Sequence, residues 1–242
     1  MKRVQSFEDA RRRRSTFLRI LRYLVVLFLA FELFSAFAFK SWTVVSGAMS
    51  PTLEPKDRIV VLSSAYGVFN PFSDRRSSFK APERGDIVLM RLPSADVHPW
   101  HDRFADSALR FVTLQMVGLH GSRASSDTPV VKRVVAGPGD SVMMDGFVIY
   151  VQAGGSSHFL TEYEVSGGAY DIEGATPVEG WDKDMPLSGN FKSVTLGSDE
   201  FFVVGDNRGS SADSRFFGPV SSSLILGKVV FRYWPLARMS EL

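Results

Sequence analysis

Four polar islands hold the residues with the most chemical potential: Ser46-Gly47-Ala48-Met49-Ser50-Pro51-Thr52-Leu53, Arg84-Gly85-Asp86, Lys132-Arg133 followed by Gly137-Pro138-Gly139-Asp140, and Gly205-Asp206-Asn207-Arg208 running to Ser211-Ala212-Asp213-Ser214-Arg215. Hydroxyls, a lysine and Asp/Arg pairs are the materials of nucleophilic and general-base chemistry. Taken singly, each island also reads as ordinary turn chemistry, because Gly, Pro, Asn and Asp are what tight turns use. Lys132 alone reads as a solvated strand lysine. His98 and His101 have a spacing that could suggest a metal site, but Pro99 between them breaks helical presentation and no carboxylate cluster lies nearby. There is no G-x-S-x-G elbow, no H-E-x-x-H, no P-loop and no G-x-G-x-x-G. Neither a Ser/His/Asp hydrolase nor a metal or nucleotide cofactor is expected.

The segments that must position these islands are short runs of β-branched and aromatic residues between Gly, Pro and Ser punctuation: Trp42 to Val45, Arg58 to Leu62, Asp86 to Leu92, Val130 to Val135, Ser141 to Gln152, Phe201 to Val204 and Leu226 to Tyr233. They predict a mostly β body of antiparallel sheet. Asp145-Gly146, set between two alternating apolar runs, is the strongest hairpin signal. Residues 93–129 and 153–190 read as inserted segments, the first carrying a ragged helical stripe over Asp102 to Val117.

The chain has 242 residues, no cysteine and 45% hydrophobic residues, which excludes disorder and a disulfide scaffold. Its net charge of +2 conceals an asymmetry. Residues 1–22 hold Lys2, Arg3, Arg11 to Arg14, Arg19 and Arg22 against Glu8 and Asp9, leaving the remainder mildly acidic. Such a body lacks the basic face that phosphate binding needs, so nucleic acid is not an expected partner. Tyr23 to Phe39 is apolar apart from Glu32 and follows the basic stretch directly. With Trp42 as an interfacial residue, it predicts a basic cytoplasmic tail over 1–15, a transmembrane anchor over 16–40 and an extracytoplasmic body over 41–242, by the positive-inside rule. A cleaved secretory signal, given the small-x-small trio Ala36-Phe37-Ala38, and a buried core helix are the competing readings.

The order and spacing of the four islands resemble the bacterial type I signal peptidases, membrane-anchored serine endopeptidases that use a Ser/Lys dyad. The family patterns S-G-S-M-x-P-T-L, R-G-D-I-V, K-R-V-V-G-L-P-G-D and G-D-N-R-x-x-S-x-D-S-R follow in the same order, from the anchor to Arg232-Tyr233-Trp234-Pro235-Leu236. Met49, Pro51 and Asp206 are matching positions. The resemblance implies Lys132 as general base, Ser46 as an oxyanion-hole hydroxyl, Ser211 as the group orienting the lysine, and Asp213 with Arg215 as support for its loop. It also implies Ala48 at the nucleophile position, where the family has serine. Lys56 before Asp57, Ala136-Gly137 and Gly209-Ser210 are smaller departures.

The physics of such a site is general. Burying an ammonium among apolar atoms lowers its pKa and makes lysine a usable base, and Val130, Val131, Val134 and Val135 flank Lys132. A methyl group cannot attack a carbonyl, so Ala48 implies either deliberate inactivation of an ordinary enzyme, favoured by the loss of a single residue, or a natural non-catalytic paralogue. Rescue by Ser46 or Ser50 is disfavoured if the segment is extended, since each would sit about 7 Å along the strand. The expected activity is cleavage of exported preproteins after a small-x-small motif at the cell membrane, beside lipid and near the export machinery. The substrate would pair as an added strand near Ser46. The rival is a module that binds signal peptides without cutting them.

Overall fold

In the computed structural model, residues 2–37, 39–69, 76–77, 80–93, 105, 108–109, 111–113, 128–174 and 189–242 are described. A long helix, α1 (Lys2–Phe37), precedes a body of fourteen described strands. These are β1 (Phe39–Thr43), β2 (Arg58–Leu62), β3 (Val68–Phe69), β4 (Arg76–Ser77), β5 (Ile87–Met90), β6 (Val130–Ala136), β7 (Ser141–Asp145) and β8 (Val148–Gln152), then β9 (Leu160–Thr161), β10 (Phe191–Thr195), β11 (Glu200–Val204), β12 (Val220–Ser221), β13 (Ile225–Trp234) and β14 (Ser240–Glu241). Short helices α2 (Glu162–Ser166) and α3 (Ser214–Phe217) interrupt them, and a 3-10 turn, η1, covers Gly47–Met49.

The main sheet runs β1-β2-β13-β5-β6-β11-β12 with β14 on β13, and a second sheet runs β10-β7-β8-β9. Every pair among these strands is antiparallel. The middle of the main sheet is buried on both faces. Ile87 and Leu89 of β5 join a cluster with Met49, Leu53, Ile59, Val61 and Val131, while the alternate Val88 and Met90 join Val134, Phe201, Val203 and Ile225. A third cluster, around Val135, Val142, Ile149, Val151 and Phe202, joins the second sheet to the first. Period-2 alternation thus places successive residues of one strand in different cores.

All seven strand-rich runs read from the sequence carry strands, with shifted ends: Trp42 to Val45 falls on Phe39–Thr43, and Asp86 to Leu92 shortens to Ile87–Met90. The hairpin turn also moves by one residue. Asp145 pairs with Val148, so the central residues are Gly146 and Phe147, both with positive φ (56° and 68°). The hairpin twist favours that geometry, and glycine meets it without steric cost at the first position. Of the helix expected at 102–117, residues 105, 108, 109, 111 and 112 are helical, and the remainder lies outside the described residues.

The N-terminal segment forms the single long helix α1. Among the described residues, no helix is long and apolar enough to cross a membrane. The described side chains of α1 run from Arg12 to Phe31, and Arg14, Arg19 and Arg22 punctuate that stretch. The competing reading of a buried core helix does not hold, because Phe17, Tyr23, Leu27 and Leu29 are 58–67% exposed. The helix runs unbroken through the expected boundary between tail and anchor at residues 15 and 16.

Candidate active site

Strand β6 carries Lys132 into the centre of the main sheet. Alternation puts its side chain on the face of Val130 and Val134, and its partner across β5 is Val88. Lys132 is 2% exposed, and its Nζ donates to Ser211 Oγ at 2.7 Å. Burial lowers its pKa from 10.5 to about 8, the attraction of Asp213 and Asp206 opposing the shift and Arg215 reinforcing it. A large neutral fraction is therefore available just above neutral pH, as a proton-accepting amine requires.

Ser211 lies on the loop that leaves β11. Its hydroxyl also bonds the Asp213 carboxylate. A hydroxyl whose proton is committed to a carboxylate presents a lone pair to the lysine, which orients the amine. Asp213 is fully buried and acts as a hub: it accepts from Arg215 Nε at 2.8 Å, Arg215 Nη2 at 2.9 Å and Gly205 N at 3.0 Å, and it caps α3. Burial alone would raise the Asp213 pKa, but the Arg215 guanidinium and the Gly205 N–H hold it below the ordinary carboxylate value. Arg215 extends the clamp by donating to the carbonyls of Arg208 (3.0 Å) and Ser211 (3.4 Å).

Residue 48 sits in η1, buried at 5% exposure, and its carbonyl accepts from Asn207 N at 3.1 Å. The first and fourth islands are therefore in direct backbone contact, and β6 packs against η1. Met49 is buried in the core beneath the turn, whereas Pro51 is exposed and its carbonyl accepts from Arg238 Nη2 at 3.3 Å. Ser46 is exposed and extended, with no side-chain capping bond to the turn. The segment is a 3-10 turn and not the extended strand assumed above, so the spacing argument against Ser46 and Ser50 does not apply. Ser50 is instead engaged by its own contact, donating to Glu54 Oε2 at 3.1 Å.

Asp206 does more than match a pattern. Its carboxylate accepts two bonds from Arg133, at 2.8 and 2.6 Å, and one from Thr52 Oγ1 at 2.6 Å, tying the first, third and fourth islands together. Arg133 also donates to Gly85 O at 2.8 Å, which brings in the second island. Arg133 was visible only as a neighbour of Lys132, and its two-pronged fit to a carboxylate emerges from the fold. Also unforeseen are Glu162 and Tyr170, which meet Arg208 of the fourth island and Arg133. Only the Thr161-x-x-Glu164 capping signature hinted at ordered structure there, and both of its reciprocal bonds are present. Among the described residues no cluster of His, Asp and Glu could hold a metal ion; His98, His101 and His120 lie outside them, and His158 is exposed.

The family model described as signal peptidase, peptidase S26, matches residues 17–234. Signal peptidase I of Leptolyngbya laminosa is 29% identical over 199 residues, covering 82% of this chain and 70% of that protein. Signal peptidase IB of Staphylococcus aureus strain N315 is 36% identical over 119 residues, covering 49% of this chain and 60% of that one. A crystal structure of a signal peptidase I from Enterococcus faecalis V583 is 21% identical and covers 62% of this chain and 98% of that one, with a TM-score of 0.32, too low to carry a structural argument. With four ordered islands converging on one buried lysine and a family match across most of its length, this chain belongs to the signal peptidase family, peptidase S26.

Proposed function

We propose that this fold cleaves signal peptides from exported preproteins by a Ser/Lys dyad, and that the chain with Ala48 binds such peptides without cutting them. The observation that carries the reading is the buried, low-pKa Lys132 held at 2.7 Å by Ser211 beside the turn that bears residue 48. With serine at 48, Lys132 Nζ takes the hydroxyl proton and the oxygen attacks the scissile carbonyl. Ser46 and the backbone N–H of residue 48 donate to the resulting oxyanion. Collapse breaks the C–N bond as the leaving amine takes the proton from Lys132; the neutral Lys132 Nζ then takes a proton from water, whose oxygen attacks the ester, and returns it to the serine oxygen as the acyl–oxygen bond breaks. Asp213 and Arg215 support the Ser211 loop, and Asp206 supports η1 through Thr52.

Ala48→Ser is the decisive test. Preprotein incubated with the full chain in detergent should be cut after small-x-small in the serine form, while the alanine form retains it in a pull-down without product. Absence of cleavage in the serine form, with binding intact, would establish the non-catalytic rival, for which Ala48 itself speaks. Product from the alanine form that disappears on changing Ser46 or Ser50 would defeat the dyad.

The exposed apolar surface of α1, next to a basic stretch, supports attachment to a lipid membrane with the body on the extracytoplasmic side, where preproteins leave the export machinery. Protease added outside spheroplasts should digest residues beyond Trp42. Protection of the body would overturn this placement.

A further inference from the structure

Glu162 opens α2, inside the 153–190 insertion, and is 4% exposed. Its carboxylate accepts from Arg208 Nη2 at 2.5 and 2.6 Å and from the Tyr170 hydroxyl at 2.7 Å. Arg208 belongs to the loop that carries Ser211: its Nε donates to Gly205 O at 3.1 Å, and its carbonyl accepts from Arg215. Tyr170 places its ring 3.8 Å from the Arg133 guanidinium, on the partner of Asp206. The insertion also adds backbone to the same loop: Glu173 N donates to Asp206 O at 2.9 Å, and Arg208 N donates to Glu173 O at 2.8 Å. The loop from 205 to 208 is thereby held on one side by residue 48 and on the other by the insertion.

A buried ion pair contributes little net stability compared with apolar residues of the same shape, while it imposes a definite geometry on both partners. We propose that Glu162 is a positioning residue for the general base: through Arg208 it holds the 205–215 loop so that Ser211 stays on Lys132 and water stays away from the amine. This rests on the Ser/Lys reading above. The charged groups acting on Lys132 are Asp213, Asp206 and Arg215, all on that loop; β5 presents Val88, and η1 packs against β6. Loosening the loop readmits water, relieves the desolvation that lowers the lysine pKa, and moves the acid limb of the rate profile to higher pH.

The test uses the full chain in detergent with Ala48→Ser. Glu162→Gln should lower kcat about tenfold at pH 7 with KM nearly unchanged, and shift the midpoint of the acid limb up by about one unit, so that activity recovers in alkali. Glu162→Asp, which keeps the charge, should restore part of the shift. A purely structural role would scale the whole profile by the folded fraction and leave the midpoint in place. If Glu162→Gln does not fold, Tyr170→Phe decides, since it removes one bond to Glu162 and keeps the ring on Arg133; it should give a smaller shift in the same direction. Unmoved midpoints in the folded variants overturn the proposal. Titration of Lys132 by lysine-selective NMR in the Ala48 chain gives the same comparison without catalysis, so failure of the Ser/Lys reading and failure of this inference remain distinguishable.

Discussion

In a chain carrying Ala48→Ser, Lys132→Met is expected to reduce kcat by about 10³-fold or more, because no other described group replaces a buried neutral amine bonded to Ser211. The same substitution should stabilise the fold. Lysine unfolded has its ordinary pKa of 10.5, and folded it has a pKa of about 8, so the unfolded chain binds the proton more tightly. The penalty for burying Lys132 is therefore complete below pH 8 and fades as pH rises from about 8 to 10.5. The two values set an upper bound of about 3 kcal/mol at pH 7, with about 1–3 kcal/mol expected once the lost bond to Ser211 is counted. Chemical denaturation at pH 7 and pH 10 measures this: the methionine form should be more stable at the lower pH and lose most of its advantage at the higher. A methionine variant that is destabilised at pH 7, or that turns over normally, would remove Lys132 from the role of strained base.

This opposition between stability and chemistry explains which parts of the molecule could be read in advance. The strands were legible because alternating β-branched residues have few other uses, and Arg58–Leu62 fell where expected. Lys132 and Ser211 were legible as members of ordered islands, yet a single chain cannot show that a lysine will be enclosed. Its enclosure depends on Val88 across the ladder and on two loops distant in sequence. The 3-10 turn at residues 47–49 was misread as extended because Ser-Gly-Ala has no strong local preference. The turn is held by long-range bonds, Asn207 N to Ala48 O and Arg232 Nη1 to Thr52 O at 2.6 Å. Glu162 and Tyr170 escaped notice for the same reason: in a Gly-rich insertion they resemble any solvated acid and phenol until Arg208 and Arg133 are brought to them. In α1 the basic and apolar pattern was plain, and among the described residues no helix is long and apolar enough to cross a membrane.

Gly205→Ala is the substitution expected to do most harm for the fewest atoms. A Cβ at this position would lie 2.3 Å from Ser211 Oγ, 2.4 Å from Ala48 O and 2.6 Å from Ser211 Cβ, and one of these neighbours is backbone that cannot swing away. Here glycine is required by space, since close packing forces a displacement for even one methyl. Moving Ser211 breaks the bond that orients Lys132, and moving residue 48 breaks its carbonyl's bond to Asn207. Overpacking of this kind costs about 1–3 kcal/mol in stability. In the serine form, the added loss of alignment at both the base and the nucleophile should lower kcat about 10²-fold or more. Gly209→Ala, four residues along the same loop, supplies the contrast: its Cβ would meet only Asn207 Oδ1 at 3.7 Å, an ordinary contact, so stability and turnover should stay near those of the parent. Equal, mild effects from the two alanines in thermal melts and cleavage assays would mean that the loop yields without consequence, and that the contact between Ser211 and residue 48 is not what aligns the site. A selective loss at 205 ties catalysis to the close packing of the fourth-island loop against the turn of the first.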